Sequence, residues 1–342
     1  FDDVLLSPRY SDIESRAAVD VSSELSERLR PLPLPVFSSP MDTVTESDMS
    51  IAMRNAGALG VIHRYNTIDE QCELVRGAIA GEAGTVAAAI GVTGDFEERA
   101  CALSDVGVSV LCVDIAHGHH CSMKNALTTL REVFGSSIHI MAGNVATLEG
   151  FNDLADWGAD SIRVGIGGGS ICSTRIQTGH GVPTFQSILD CAESDRDAKL
   201  IADGGIKTNG DIVKALAAGA DFVMLGSMLA GTTESPGDIF IDRDDNKRYK
   251  VYRGMASKDA QQEWRGKSSA PEGVSTTIPF KGSVKQVLSE MSLLGDKIFA
   301  NKLQQYGMIN FLSKKDFVKE EALKFSKKFE TLPYNSMRRI KT

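Results

Sequence analysis

The stretch 199–226 reads KLIADGGIKTNGDIVKALAAGADFVMLG and contains two apolar runs separated by a segment of helical periodicity. The runs Lys199–Asp203 and Phe222–Gly226 have the length and composition of buried strands, and Gly210–Ala217 between them repeats apolar residues at helical spacing. A strand, a helix and a second strand in this order indicate a parallel βαβ unit.

The same alternation extends over most of the chain. Eight apolar runs are predicted as strands: Pro35–Ser38, Leu59–His63, Val86–Gly91, Val110–Asp114, Ile138–Ala142, Ser161–Gly165, Lys199–Asp203 and Phe222–Gly226. Helices are predicted between them at Thr67–Ile79, Phe96–Val106, Met123–Phe134, Leu148–Trp157, Thr184–Glu193 and Gly210–Ala217. This pattern predicts an α/β fold, a (β/α)8 TIM barrel, with a doubly wound open sheet as the alternative. In such a barrel the functional site lies at the carboxyl ends of the strands.

Beyond the eighth strand the repeat ends. Asp238–Tyr252 carries a charged turn and predicts a hairpin, and the polar residues 256–275 predict a mobile flap. A helical tail is expected at about 283–342, where the Lys-rich segment Lys314–Lys328 indicates a solvated helix face. Because one barrel can use the whole length of 342 residues, we expect a single domain over 1–342.

Composition and charge restrict the classes of partner. Lys and Arg number 37 against 45 Asp and Glu, and the net charge of −8 argues against binding nucleic acid through a broad basic surface. A small anionic ligand is compatible with this charge, because backbone N–H groups bind phosphate regardless of net charge. No apolar run approaches the ~20 residues that span a bilayer, so no membrane partner is expected. Six cysteines without a CxxC pair favour a reducing, cytoplasmic location.

The strongest motif is the stretch Gly165–Arg175, GIGGGSICSTR, directly after the sixth predicted strand. Its glycines allow the backbone to approach a ligand closely, and Ser170 adds a hydroxyl suited to a phosphate. Cys172 follows on a loop, where a thiolate could attack an electrophilic carbon. The alternative is a structural glycine-rich turn with an inert thiol.

Two further loops follow the seventh and eighth strands. Asp203-Gly204-Gly205 and Gly226-Ser227 occupy positions where barrel enzymes often bind a phosphate. The Asp203 carboxylate can accept hydrogen bonds from both ribose hydroxyls, and its alternative role is that of a helix cap.

The fourth predicted strand ends at Asp114, which three histidines follow closely at positions 117, 119 and 120. A metal site is one interpretation, but their spacing does not match a known ligand pattern and no carboxylate set accompanies them. A carboxylate that orients a cofactor is the favoured role for Asp114.

These motifs together resemble a known family. The matching segments are Ser38–Val44 (SSPMDTV), Ala142–Val145 (AGNV), Gly165–Arg175, Asp203–Gly205, Tyr252–Met255 (YRGM) and Glu272-Gly273. They occur in the order seen in IMP dehydrogenases and GMP reductases, and the resemblance runs from Phe1 to about Gly282. It implies a (β/α)8 barrel, a homotetramer, a purine 5′-monophosphate (GMP or IMP) as substrate and a nicotinamide cofactor.

The resemblance also implies roles for individual residues. Cys172 would be the nucleophile that bonds to C2 of the purine, with Thr174 and Glu272 as further catalytic residues. The phosphate would contact Ser170, Gly205, Gly226, Ser227 and Tyr252. Asp203 would bind the ribose, Ser39 and Met41 would line the nucleotide, and Met255, Ala256 and Glu272 would face the base. The cofactor would meet Asp114, Asn144, Gly165 and Gly167, and the carbonyls of Gly167, Gly169 and Cys172 would form a possible K⁺ site.

Two features bear on which family activity the chain has. The family's dehydrogenases often carry an insert of paired CBS domains after the second strand, and about twenty residues from His63 to Val86 leave no room for it. A dehydrogenase also needs a base to activate water, which the family places in an Asp-Arg-Tyr motif on a long flap. Here the short segment Lys258–Pro271 lacks that motif, and Arg265 is its one candidate substitute.

A reductase instead protonates a leaving ammonia, a proton that Thr174 and Glu272 could relay. We therefore predict a GMP reductase that uses NADPH. The alternatives are an IMP dehydrogenase that uses NAD, and a catalytically silent nucleotide-binding barrel, against which the presence of Cys172, Thr174 and Glu272 argues.

Overall fold

Eight parallel strands form a closed barrel, in which each strand pairs with its sequence neighbours and the eighth pairs with the first. The structure is a computed structural model that describes residues 1–7, 10, 11, 13, 19–80, 84–268 and 271–294. The barrel strands are β1 (Val36–Ser38), β2 (Leu59–Ile62), β3 (Ala87–Ile90), β4 (Val110–Asp114), β5 (His139–Val145), β6 (Ser161–Val164), β7 (Lys199–Asp203) and β8 (Phe222–Leu225). The closure confirms the predicted barrel, and the open-sheet alternative is wrong.

Helices connect the strands on the outside of the barrel. They are α1 (Ser47–Asn55), α2 (Ile68–Ala80), α3 (Phe96–Asp105), α4 (Cys121–Phe134), α5 (Leu148–Asp156), α6 (Thr174–Thr178), α7 (Thr184–Cys191) and α8 (Asn209–Ala217). Six of these agree with the predicted helices within about two residues, as expected for amphipathic segments between buried strands. Helices α1 and α6 have no counterpart in the prediction.

The barrel strands alternate between two apolar layers. On β4, Val110 and Cys112 belong to a cluster that fills the barrel interior, whereas Leu111 and Val113 belong to the cluster between strands and helices. The rings of Phe37 on β1 and Phe222 on β8 meet inside the barrel with centroids 5.0 Å apart. Because side chains alternate along a strand, the residue two positions after each interior apolar residue also points inward.

A small antiparallel sheet follows the barrel. Strands β9 (Phe240–Ile241) and β10 (Arg248–Arg253) form the predicted hairpin, and β11 (Ser275–Pro279) pairs with the other edge of β10. The chain then enters α10 (Val284–Leu294), which agrees with the start of the predicted tail. The rest of that tail, including Lys314–Lys328, lies outside the described residues.

The predicted flap contains a helix, α9 (Lys258–Arg265), where the sequence analysis expects a loop. Ser257 caps it by accepting a hydrogen bond from the Ala260 N–H at 3.3 Å. Its sequence, KDAQQEWR, is strongly polar and has Ala260 and Trp264 as its only apolar residues, which is too few to indicate a buried helix from the sequence. The mobility of residues 256–275 stays a prediction.

None of the helices in the described part of the chain combines the length and apolar content that crossing a membrane requires.

Candidate active site

A cleft of about 590 Å³ opens at the carboxyl ends of the barrel strands. Every residue that the sequence analysis assigns to catalysis, substrate, cofactor or cation binding lines this cleft, from Ser39 after β1 to Glu272 after α9. The reason is the topology: in a parallel barrel, all the loops that leave the strands meet at one rim. The volume lies within the range of about 300–1,000 Å³ typical of ligand pockets.

The floor of the cleft is a network of charged side chains at the ends of neighbouring strands. Asp114 on β4, Arg163 on β6 and Asp203 on β7 each stand two residues beyond an interior residue and point into the barrel. Arg163 Nη1 donates to Asp114 Oδ1 at 2.5 Å, and its Nη2 and Nε donate to Asp203 Oδ2 at 2.8 and 3.1 Å. Asn144 Nδ2 donates to the same Asp203 oxygen at 2.8 Å.

Arg163 is therefore a buried cation between two carboxylates. Burial by itself lowers the pKa of Arg163, but Asp203 and Asp114 outweigh it and raise the pKa well above its ordinary value. Gly143 on β5, the residue in register with Arg163, provides the space, since an added Cβ there would lie 2.6 Å from the Arg163 Cβ. The network fixes the orientation of the Asp203 carboxylate, which lines the cleft.

Cys172 lies beside a polar chain that leads to a carboxylate. Its thiol donates to Thr174 Oγ1 at 3.2 Å, and the Thr174 hydroxyl donates to Glu272 Oε2 at 2.8 Å. Cys172 is partly exposed to the cleft. Both hydrogen bonds point from sulfur towards Glu272, so the chain can take a proton from the thiol and later return one to a leaving group.

Backbone hydrogen bonds hold Glu272 against the cysteine loop. The Ser173 N–H donates to the Glu272 carbonyl at 2.8 Å, and the Glu272 N–H donates to the Ala256 carbonyl at 3.0 Å. Cys172 and Gly273 form an antiparallel bridge. These contacts hold the two ends of the flap together beside Cys172, and the part of the flap that contains α9 extends from them.

The opposite side of the cleft forms a cradle suited to a phosphate. An added Cβ at Gly226 would lie 3.0 Å from Tyr252 Oη and 3.4 Å from Ser39 Oγ, so these hydroxyls converge on the space that the glycine leaves open. Tyr252 also hydrogen-bonds Ser170, and burial raises the pKa of Tyr252 to about 12, so its hydroxyl stays protonated even in alkaline solution.

A half-buried lysine holds the loop of this cradle in place. Lys281 Nζ donates to the Ser227 carbonyl and, at 3.3 Å, to the Met228 carbonyl. Burial lowers the pKa of Lys281 to about 8. The lysine therefore ties the segment after β11 to the loop that carries Gly226 and Ser227.

Two of the alternatives from the sequence analysis can be compared with observed contacts. The helix after β7 is capped by Thr208, whose side chain and that of Asp211 form a reciprocal capping box, so the role of helix cap for Asp203 is wrong.

Of the histidines after β4, His120 Nδ1 accepts from the Ser122 N–H at 3.2 Å and caps α4, and His119 pairs with Asp153 at 2.8 Å. These two histidines thus have structural partners.

The predicted cation ligands lie within one loop. The Gly169 carbonyl accepts the Cys172 N–H at 3.2 Å, which closes the turn. A carbonyl oxygen has two lone pairs, so this hydrogen bond leaves capacity for a cation. The donor set fits a hard monovalent ion, and the K⁺ site stays a prediction.

A sequence profile described as the IMP dehydrogenase / GMP reductase domain matches residues 1–310. The chain belongs to this family. Its members are oxidoreductases that act on purine nucleotides and use nicotinamide cofactors.

Relatives of both names resemble this member of the IMP dehydrogenase / GMP reductase family. The IMP dehydrogenases of Nitrosopumilus maritimus (strain SCM1) and Bacillus subtilis (strain 168) are 33% and 34% identical to it, over 85% of this chain and 89% and 87% of theirs. The GMP reductase of Leishmania major is 31% identical over 85% of this chain and 88% of its own.

The length of these alignments bears on the CBS insert. The archaeal dehydrogenase aligns over 431 positions and the Leishmania reductase over 436, both more than the 342 residues of this chain. Each relative therefore contains internal residues that this chain lacks. Because a reductase is among them, the absence of an insert does not separate the two activities.

The predicted site residues omit several side chains that line the family member's cleft, among them Arg163, Arg64 and Tyr65. The sequence does contain an indication of Arg163: it is a charged residue inside an otherwise apolar strand, and a buried charge needs partners within the barrel. Arg64 and Tyr65 directly follow β2, a position that itself indicates the rim. The Arg64 guanidinium lies 5.0 Å from the centroid of the Tyr65 ring, its Nη2 donates to the Asp114 carbonyl at 3.2 Å, and its Nε lies 3.7 Å from Asp114 Oδ2.

Proposed function

We propose that this family member is a GMP reductase, which converts GMP to IMP and ammonia with NADPH as the reductant. The observation that carries the proposal is the directed chain from Cys172 through Thr174 to Glu272, with hydrogen bonds of 3.2 and 2.8 Å. Such a chain moves protons between a thiol and a leaving group, which is what a deamination requires. The flap does not carry an Asp-Arg-Tyr motif for the activation of water.

In the first half of the proposed reaction, the Cys172 sulfur bonds to C2 of GMP and its proton passes through Thr174 to Glu272. The proton then returns by the same chain to the 2-amino group, the C2–N bond breaks, and ammonia leaves. The thiol hydrogen and the amino group together account for the ammonia, and C2 remains bonded to sulfur. Asp203, oriented by Arg163 and Asn144, would hold the ribose during this exchange.

In the second half, C2 gains a hydride and the sulfur leaves as a thiolate that takes up a proton, which restores Cys172. NADPH would supply the hydride when bound. Asp114, Asn144, Gly165 and Gly167 line the same cleft as Cys172 and fit a role in binding this cofactor. The choice of NADPH over NADH, a K⁺ ion at the carbonyls of Gly167, Gly169 and Cys172, and assembly into a homotetramer are parts of the same proposal.

A paired steady-state assay tests the proposal. We expect the purified protein to oxidise NADPH in the presence of GMP and to produce IMP and ammonia, with no reduction of NAD⁺ in the presence of IMP. Cys172→Ala should abolish turnover while GMP still binds. Reduction of NAD⁺ with IMP, and no reaction with GMP, would refute the proposal.

The second candidate is an IMP dehydrogenase, supported by the similarity to two dehydrogenases of 33% and 34% identity. In that case a base must activate water, and Arg265 at the end of α9 is the residue available for it. Arg265→Ala would then abolish hydrolysis of the covalent intermediate but leave hydride transfer intact.

A catalytically silent nucleotide-binding barrel is the third candidate. The test is mass spectrometry after incubation with a 6-chloropurine nucleotide. An adduct on Cys172 is expected of an active site, and its absence would favour the silent barrel.

A further inference from the structure

The side chain of Trp264 joins helix α9 to the rim of the barrel. The indole Nε1 donates to Asp42 Oδ2 at 3.3 Å, in the loop after β1. The indole ring also lies 6.2 Å from the Tyr65 ring and 6.4 Å from the His63 ring, both at the end of β2. Trp264 thereby joins the flap to two separate barrel loops.

Neighbouring charges strengthen this docking. Arg253, at the end of β10, donates through Nε to the same Asp42 oxygen at 2.9 Å and through Nη2 at 2.5 Å. Its Nη1 donates to Glu263 on α9 at 2.5 Å. The Asp42 side chain is 5% exposed, so these contacts act in a poorly solvated region where a charge-assisted hydrogen bond is strong.

Trp264 is also the outer end of a chain of contacts that runs into the cleft. Its ring packs against Tyr65, the Tyr65 ring carries the Arg64 guanidinium at 5.0 Å, and Arg64 pairs with Asp114. Tyr65, Arg64 and Asp114 all line the cleft, and Asp114 is one of the residues proposed to bind the cofactor. Among the described residues, Trp264 makes no contact with Tyr252, Ser39 or Gly226, which form the cradle.

We infer that Trp264 is a positioning residue for the dinucleotide cofactor, acting through Tyr65 and Arg64. It holds these two side chains against Asp114, so that the wall of the cofactor half is formed before the cofactor arrives. Pre-forming a wall reduces the cost of ordering side chains on binding. The inference rests on the proposed function, because it assigns the two halves of the cleft to two ligands.

The test compares two tryptophan variants. Trp264→Ala removes both the hydrogen bond and the ring contacts, and we expect KM for NADPH to rise roughly tenfold, equal to about 1.4 kcal/mol, with KM for GMP and kcat changing less than about twofold. Trp264→Phe keeps the ring packing and should recover most of the loss. Trp157→Phe is the matched control, because Trp157 packs against His119 and Lys124 and does not line the cleft.

A spectroscopic measurement gives an independent readout. The chain has 2 tryptophans, so Trp157→Phe leaves Trp264 as the only indole. We expect NADP⁺ or NAD⁺, titrated separately, to reduce acrylamide quenching of Trp264, and GMP alone to leave it unchanged.

The outcomes separate this inference from the proposed function. An active wild type whose KM values for GMP and NADPH rise equally in Trp264→Ala would show a merely structural role and overturn the inference alone. A wild type inactive with both substrate pairs would overturn the proposed function. In that case, quenching of Trp264 that does not respond to either dinucleotide would overturn the inference as well, and a response would support it.

Discussion

Replacing Arg163 with Met tests whether the buried charge network holds the barrel floor together. The substitution keeps most of the apolar stem and removes the guanidinium that donates to Asp114 and Asp203. Those carboxylates have side-chain exposures of 17% and 13%, so water replaces the lost partner only in part. Removing one partner of a buried ion pair costs about 3–5 kcal/mol.

Two remaining contacts place Arg163→Met at the lower end of that range. Arg64 stays 3.7 Å from Asp114, and Asn144 still donates to Asp203. We therefore expect a loss of about 3 kcal/mol in the free energy of unfolding. With an unfolding entropy of about 2.1 cal/mol/K per residue, this corresponds to a decrease in Tm of roughly 4 °C for a chain of this length.

Two substitutions that differ in charge provide the decisive check. Arg163→Lys keeps the positive charge between the two carboxylates, so it should lose less stability than Arg163→Met. The Tm values of both variants and of the wild type are compared at pH 7.5 by differential scanning fluorimetry. An Arg163→Met variant as stable as wild type, or an Arg163→Lys variant that loses as much as Arg163→Met, would refute the reasoning.

Three further predictions concern the relay, the cradle and a buried histidine. Glu272→Gln keeps a hydrogen-bond acceptor for Thr174 but cannot take a proton, so kcat should fall roughly 10²–10³-fold in the NADPH assay; a loss below fivefold would contradict the relay. Gly226→Ala fills the cradle between Tyr252 and Ser39 without backbone strain, and KM for GMP should rise at least about tenfold while KM for NADPH stays the same. Burial lowers the pKa of His139 to about 4, whereas it is near 6.5 when unfolded. The unfolded chain then binds the extra proton first as pH falls from about 6.5 to 4, so stability should decrease by about 3 kcal/mol over that window. His139→Gln should remove this dependence in urea unfolding, and an unchanged pH profile would count against it.

The candidate site was largely readable from the sequence because its parts are local. Gly165–Arg175 and Asp203-Gly204-Gly205 each follow an apolar strand directly, and a barrel gathers such positions at one rim. The contact between Thr174 and Glu272 joins residues far apart in the chain, and the resemblance to the family, not the spacing, brought them together. Arg163 is not among the predicted site residues. Its partners Asp114 and Asp203 lie on β4 and β7, and the sequence of β6 does not show which residues of other strands lie next to it.

The flap shows where local reasoning ends. The polar segment 258–265 has only two apolar residues, Ala260 and Trp264, so the sequence indicates a loop, yet Trp264 and Arg253 dock it as a helix onto Asp42. A helix with so narrow an apolar face is stabilised by tertiary contacts more than by its own propensity.

The sequence by itself determined the eight strands, six of the helices that connect them and the loops that bear the reactive groups, because apolar periodicity and glycine-rich turns act over a few neighbouring residues. Only the tertiary structure decided which charges meet at the barrel floor, which way the Cys172 proton chain points, and what holds α9 in place. These three features depend on side chains that closure of the barrel brings together. The positions of these residues in the chain do not specify the distances between them in space.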